Sequence, residues 1–258
     1  MKNILITGAR SGIGLDVAKR LLERGHTVFA TVHHQSSVVS LQSELAVYGE
    51  RAIVEKLDIL DDEDRLKVQD WDIDILINNA AIGDSGPLST IPAQRVKDVL
   101  ETNVVATLQL TQQVLLKMRE RRRGRIIFIS SLAGLIPTPF ISPYALTKHA
   151  IENIAGSLRG ELKSFGIDVS LINPGGYNTG FNEKNIQKKY EWLDIEQLDP
   201  LEQRRMKREE SIIYTFEMKS TASIAKQIVK AVEARHPKRR YSAPFWQSWG
   251  VFFIRMFS

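Results

Sequence analysis

The 258-residue chain contains no cysteine. That absence excludes disulfides, thiolate nucleophiles and cysteine-ligated metals, and it fits a reducing, cytoplasmic compartment. Long hydrophobic runs are missing too. No window reaches the roughly 20 apolar residues that a membrane-spanning helix needs. Met1-Lys2 leads straight into an apolar stretch with no small-residue cleavage site behind it, so no secretory leader is expected. Excess charge of one sign is slight: 35 Lys+Arg against 30 Asp+Glu leave a formal charge of +5. Such an excess favours anionic small molecules but gives no case for nucleic acid. The densest basic run, Arg119-Glu120-Arg121-Arg122-Arg123, has no interleaved aromatics. It reads as a helix C-terminus whose cations complement the dipole, with Gly124 as a left-handed cap. No metal site is expected.

What is present is an ordinary globular composition, 43% hydrophobic and 25% charged. The length allows one large domain or two small ones and a substantial core. Residues 1–258 read as a single domain, because no linker, repeat or low-complexity stretch interrupts them. Short apolar runs predict strands at Asn3–Thr7, Thr27–Val32, Ala52–Leu57, Ile73–Asn78, Arg125–Ser130, Ile167–Ile172 and near Tyr241. Helical spacing predicts helices at Ser11–Arg24, near Ser37–Tyr48, and at Thr102–Arg122, Pro143–Ser164 and Thr221–Arg235. Strands apolar on both sides belong in a parallel sheet covered by helices on both faces. The alternation predicts a doubly wound α/β fold. The polar stretch 182–217 is an excursion from that sheet.

Two motifs carry chemistry. Thr7-Gly8-Ala9-Arg10-Ser11-Gly12-Ile13-Gly14 lies between the first strand and the first helix. Glycines there permit a tight turn and close approach of backbone to a pyrophosphate, and the helix N-terminus supplies aligned N–H groups. Tyr144-Ala145-Leu146-Thr147-Lys148 puts a phenol and an ammonium four residues apart, on one helix face. A phenol titrates near pH 10, and a neighbouring cation lowers that value toward the working pH of a proton carrier. Ser142-Pro143 is expected to start that helix as N-cap and first-turn proline. Ser131, thirteen residues before Tyr144, ends a strand at the sheet edge where ligands bind in such folds.

The turn spacing, together with Ser131 and the Tyr-x-x-x-Lys pair, resembles the short-chain dehydrogenase/reductase family, loosely its hydroxysteroid and retinol dehydrogenase branches. Further matches follow in family order. They are Asp58 (with Ile59) after the third strand, Asn79-Ala80-Ala81 after the fourth, Asn103 in a helix, and Pro174-Gly175-Gly176-Tyr177-Asn178-Thr179 after the sixth. Ala81 stands where the family usually has glycine. The resemblance implies a Rossmann-type sheet with a C-terminal substrate lid. It also implies a catalytic tetrad Asn103–Ser131–Tyr144–Lys148 and a homodimer or homotetramer through the two long helices. In that scheme Asn103 maintains a water that resupplies protons through Lys148. The cofactor implied is a nicotinamide dinucleotide held by Gly8, Arg10, Ser11, Gly12, Ile13, Gly14, Asp58, Ile59, Asn79, Ala80, Ala81, Tyr144, Lys148, Pro174, Gly175, Tyr177 and Thr179.

A carboxylate after the second strand would bind the adenine ribose and select NAD. Here His33-His34 stands in that place, with Arg10 and Ser11 in the glycine turn, so NADP(H) is favoured over NAD(H). If the histidines hold the phosphate, affinity falls as pH rises through about 6–7. Leu135, Ile136, Pro137, Pro139, Phe140, Tyr177 and Phe181 are candidates to line an apolar substrate pocket. The tail 244–257 carries an aromatic stripe at near-helical spacing: Phe245, Trp246, Trp249, Phe252, Phe253, Ile254 and Phe257. It can pack on the protein or a second subunit, dip into a membrane interface beside Arg255 and the Lys238–Arg240 cluster, or cover the substrate mouth. The leading expectation is an alcohol/carbonyl oxidoreductase. A redox-sensing module or an oligomeric scaffold with little turnover stays open beside it.

Overall fold

The computed structural model describes residues 1–257, the last three as helical backbone alone, so the side chains of Arg255 and Phe257 lie outside the described residues. The strands are β1 (Asn3–Ile6), β2 (Thr27–Val32), β3 (Ala52–Lys56), β4 (Ile75–Asn78), β5 (Gly124–Ile129), β6 (Ile167–Pro174) and β7 (Arg240–Ala243). All pair in parallel in one sheet of order β3-β2-β1-β4-β5-β6-β7. The helices are α1 (Gly12–Glu23), α2 (Val38–Leu45), α3 (Asp62–Lys67), α4 (Ala93–Leu100), α5 (Thr107–Glu120) and α6 (Ser142–Leu162). Then come α7 (Phe181–Gln187), α8 (Pro200–Thr215), α9 (Ala222–Glu233) and α10 (Phe245–Phe257).

The strands are apolar throughout because alternate residues feed two separate cores. Ile4, Ile6, Ile75, Ile77, Ile127 and Ile129 face the core built on α1, α2 and α9. Leu5, Leu76, Ile126 and Phe128 face the opposite core, with α5 and α6. The doubly wound sheet is thus the arrangement its alternation predicts. Strand order reverses between β1 and β4, which opens a crevice beyond their C-terminal ends.

Local readings need three corrections. Gly124 is not the left-handed cap: Arg122 takes that conformation (φ 51), and Gly124 opens β5 with the Met118 side chain against the space a Cβ would fill. The basic run is held locally, Arg119 lying 4.4 Å over the Phe165 ring and Arg121 paired with Asp72. Ser142 is the first residue of α6, not its N-cap, and its hydroxyl donates to the Thr138 carbonyl at 3.1 Å. Finally, the helix expected at 102–122 begins earlier, since α4 continues through a π-helical turn at Glu101–Ala106 into α5.

Candidate active site

The glycine turn is shaped by close approach. A Cβ added to Gly8 (φ +67) would sit 2.9 Å from the Ala80 backbone, and one on Gly12 (φ +60) 3.1 Å from Thr179. A Cβ on Gly14 would sit 2.6 Å from the Asn79 amide and 2.7 Å from the Gly8 carbonyl. The turn is pinned from β4: the Asn79 side chain donates to the carbonyls of Thr7 and Gly8 at 2.9 and 3.1 Å. The Thr7 hydroxyl accepts from the backbone N–H groups of Asn79 and Ala80. Ser11 flanks α1 without a side-chain cap, so the first-turn N–H groups of that helix have no serine hydroxyl on them. This donor set at a helix N-terminus fits a pyrophosphate.

A cleft of about 660 Å³ runs from this turn across the sheet edge. It is lined by every residue the family resemblance assigns to the dinucleotide, and by His33 and His34. Arg10, exposed on the turn, has no ion-pair or hydrogen-bond partner among the described residues. The His33 and His34 rings stand 3.8 Å apart, and burial, then the neighbouring His34, lowers the His33 pKa below its usual 6.5. The Asp58 carboxylate accepts from the Leu60 N–H at 3.0 Å, which shapes the strand-end loop. Tyr177 contributes only its ring to the wall, because its hydroxyl is engaged with Ser223 at 2.7 Å.

A second cavity of about 430 Å³ adjoins the first, and Ser131, Tyr144, Gly175 and Asn182 line both. Its walls are mainly apolar: Ile136 and Ile141 from the loop before α6, Ile186 on α7, Ile212, Ile213 and Phe216 at the end of α8, and Trp246, Val251 and Ile254 on α10. The tail therefore lines this cavity with one side, and Trp246 and Ile254 stay about half exposed there, while Phe245, Trp249, Phe252 and Phe253 are exposed elsewhere on the helix. Of the expected substrate-side residues only Ile136 lines it. Leu135, Pro137, Pro139 and Phe140 do not, and Tyr177 and Phe181 belong to the first cleft, where Phe181 leans on the Tyr144 ring at 5.2 Å. The missed α8 residues left a trace, since Ile212-Ile213 is an apolar pair in an otherwise charged segment.

The tetrad residues do not form one contact cluster. The Ser131 hydroxyl accepts from the Ala133 N–H at 3.1 Å, which leaves its own proton to donate. Lys148 is buried and donates to the Ile129 carbonyl at 2.9 Å, its Nζ 5.4 Å from the Tyr144 ring centre. Burial lowers the Lys148 pKa to about 8, against the raising influence of Glu152. Burial likewise pushes the Tyr144 phenol above its ordinary value, and the Ser131 hydroxyl offsets part of that rise. Lys148 is not among the influences on the Tyr144 phenol in the chain alone, where desolvation dominates and the Ser131 hydroxyl opposes it. Asn103 lies behind the cleft, where Oδ1 accepts from the Ile82 N–H, and Nδ2 donates to the Ile82 carbonyl and to Thr147.

Sequence reasoning missed a polar support under Ser131. The buried Asn173 amide donates to the Ser131 carbonyl at 3.0 Å and to Glu152 at 2.7 Å, and Arg240 donates to Asn173 at 2.8 Å.

The short chain dehydrogenase family model matches residues 2–190. The chain is 34% identical over 186 residues to 3-ketodihydrosphingosine reductase of Bacteroides thetaiotaomicron, covering 72% of this chain and 68% of that one. It is 30% identical over 252 residues to retinol dehydrogenase 8 of Bos taurus, covering 93% and 80%. The fold matches a short-chain dehydrogenase from Streptomyces avermitilis with a TM-score of 0.82 at 24% identity, over 99% of this chain and 92% of that one. With the glycine cradle, the Ser131–Tyr144 wall and the parallel sheet in place, these matches establish that the chain belongs to the short-chain dehydrogenase family.

Proposed function

We propose that the chain is an NADP(H)-dependent oxidoreductase that interconverts an apolar alcohol and its ketone or aldehyde. One observation carries this reading: Ser131 and Tyr144 stand on the wall shared by a dinucleotide-sized cleft and an apolar cavity. When bound, the nicotinamide would supply or accept a hydride. Ser131 donates its free proton to the substrate oxygen and orients it. Burial keeps Tyr144 protonated, the state in which it can give a proton to a carbonyl being reduced. Lys148, held by the Ile129 carbonyl, presents a cation behind Tyr144 and toward the ribose. Asn103 acts by fixing the Ile82 strand-end loop and Thr147 of α6.

The preference for NADP(H) rests on the absence of a carboxylate directly after β2 and on unpaired Arg10 beside His33 and His34. NAD(H) is the competing cofactor. Exposed Val105, Leu116 and Leu146 on the long helices support a homo-oligomer through that face. The retinol and 3-keto relatives name apolar-alcohol and ketone chemistry, which agrees with the apolar cavity. The test is a panel of aliphatic and cyclic ketones and aldehydes with NADPH and with NADH. The reading requires turnover on apolar members and a higher kcat/KM with NADPH. Binding of both dinucleotides without turnover on any member contradicts it.

A further inference from the structure

Two exposed helix faces meet beside the apolar cavity. On α8 the outward stripe is Leu201, Arg205, Arg208, Ile212 and Phe216, spaced so that all five share one side of the helix. Arg205 and Arg208 are exposed and make no ion pair or hydrogen bond among the described residues. The acidic residues of the helix, Glu202, Glu209 and Glu210, are each partly buried, and Glu210 holds the buried Lys189. On α10 the outward side is aromatic: Phe245, Trp249, Phe252 and Phe253 are exposed, and the Trp249 ring meets those of Phe245 and Phe252 at 5.7 and 6.1 Å. The two faces are joined where the Phe216 ring meets the Trp246 ring at 5.6 Å.

Residues along this seam belong to the cavity as well. Ile212, Phe216, Trp246 and Ile254 line it, yet each is between 38% and 54% exposed, so the cavity opens to the surface between α8 and α10. A contiguous aromatic patch is unfavourable to leave in water and marks a contact surface. Its chemistry selects the partner. Tryptophan and phenylalanine beside arginine suit a helix lying in the plane of a membrane interface, with rings at the acyl boundary and cations at the headgroups. Charge agrees: residues 234–258 contain five Lys or Arg and no Asp or Glu. A second copy of the chain on this surface would close the cavity mouth, whereas Val105, Leu116 and Leu146 offer it a separate exposed face on the long helices. No helix among the described residues is long and apolar enough to cross a membrane, so the contact is peripheral.

We propose that the outward faces of α8 and α10 dock this protein on an anionic lipid bilayer, with the cavity mouth turned toward the membrane. An apolar substrate dissolved in the bilayer then reaches the cavity without being exposed to water. Docking is measured without substrate, so it succeeds or fails independently of the oxidoreductase reading.

The full chain is sedimented with sucrose-loaded vesicles of phosphatidylcholine and phosphatidylglycerol in equal parts, and with vesicles of phosphatidylcholine alone. Binding to the anionic vesicles is expected to be at least ~10-fold tighter than to the neutral ones, and to weaken as salt is raised. Two double variants probe the two faces. Arg205→Glu with Arg208→Glu should cut affinity for the anionic vesicles by ~10-fold or more. Trp249→Ser with Phe252→Ser should weaken binding to both kinds of vesicle by about 10-fold. None of these four side chains lines either cavity, so unchanged NADPH binding shows that each variant is folded. The vesicle comparison with the native chain is decisive whichever variant folds. The proposal is overturned if the native chain stays in the supernatant with anionic vesicles, if it binds both kinds equally, or if the folded variants bind as the native chain does. It is also overturned if Trp249→Ser with Phe252→Ser splits a larger assembly into a smaller one in analytical ultracentrifugation, which assigns the surface to a second copy.

Discussion

At the scale of single residues, burial sets the chemistry of Lys148 and Tyr144 more than their mutual contact does. Lys148 titrates at about 8, so its proton is present at neutral pH and lost as pH rises through that value. The kcat/KM for NADPH reports the free enzyme. It is expected to fall through about pH 8, and Lys148→Arg should remove that alkaline limb because guanidinium does not titrate there. An alkaline limb unchanged in the variant would show that another group controls it. Desolvation, then the neighbouring His34, lowers the His33 pKa from its usual 6.5, so its imidazolium forms at lower pH than that of a free histidine. The window of 6–7 expected from an unperturbed histidine therefore moves down. Affinity for NADP is expected to rise as pH drops below 6.5 while affinity for NAD stays flat, as measured by fluorescence titration. Arg10→Ala should cost NADP roughly 10-fold or more at every pH, the loss of one charge-assisted phosphate contact. Equal pH profiles for the two dinucleotides would remove His33 from the phosphate site.

At the scale of elements, the glycine turn and the start of α1 work as one piece with the end of β4. Gly14 is the tightest joint, with Asn79 and the Gly8 carbonyl both inside the volume of a methyl group. Gly14→Ala is expected to weaken dinucleotide binding by at least ~10-fold and to lower the Tm, since the added methyl displaces both the Gly8 backbone carbonyl and the Asn79 amide that pins the turn. Unchanged affinity would show that the turn does not cradle the pyrophosphate. This joint was legible in the sequence because strand, turn and helix are contiguous. The supporting network was not. Asn173, Glu152 and Arg240 come from β6, α6 and β7, and only the sheet register brings them under Ser131. The helix starts show the same limit. Ser142 looks like a cap beside Pro143, yet its hydroxyl is drawn back to Thr138, and the cap position passes to Ile141.

At the scale of the whole molecule, the sheet was readable because each strand feeds two cores and so carries continuous apolar sequence. Ile4, Leu5 and Ile6 show this in three consecutive residues. The dinucleotide side of the site was readable for a related reason: it is built from strand ends, where position along the chain predicts position in space. The apolar cavity was readable only at Ile136 and at the strand-end residues, because much of its wall comes from α7, α8 and α10, three segments outside the sheet whose packing no periodicity specifies. The aromatic stripe of the tail was visible, but its use as one wall of the cavity depends on where α10 returns against Gly175 and Gly176.

The central claim is that Tyr144 moves the proton at the wall between the two cavities. Tyr144→Phe keeps the ring that meets Phe181 and removes only the hydroxyl. Measured with a ketone that the native protein reduces, kcat is expected to fall by about 10²- to 10⁴-fold while the Kd for NADPH stays within a factor of about 2. A variant that retains most of its turnover would contradict the account.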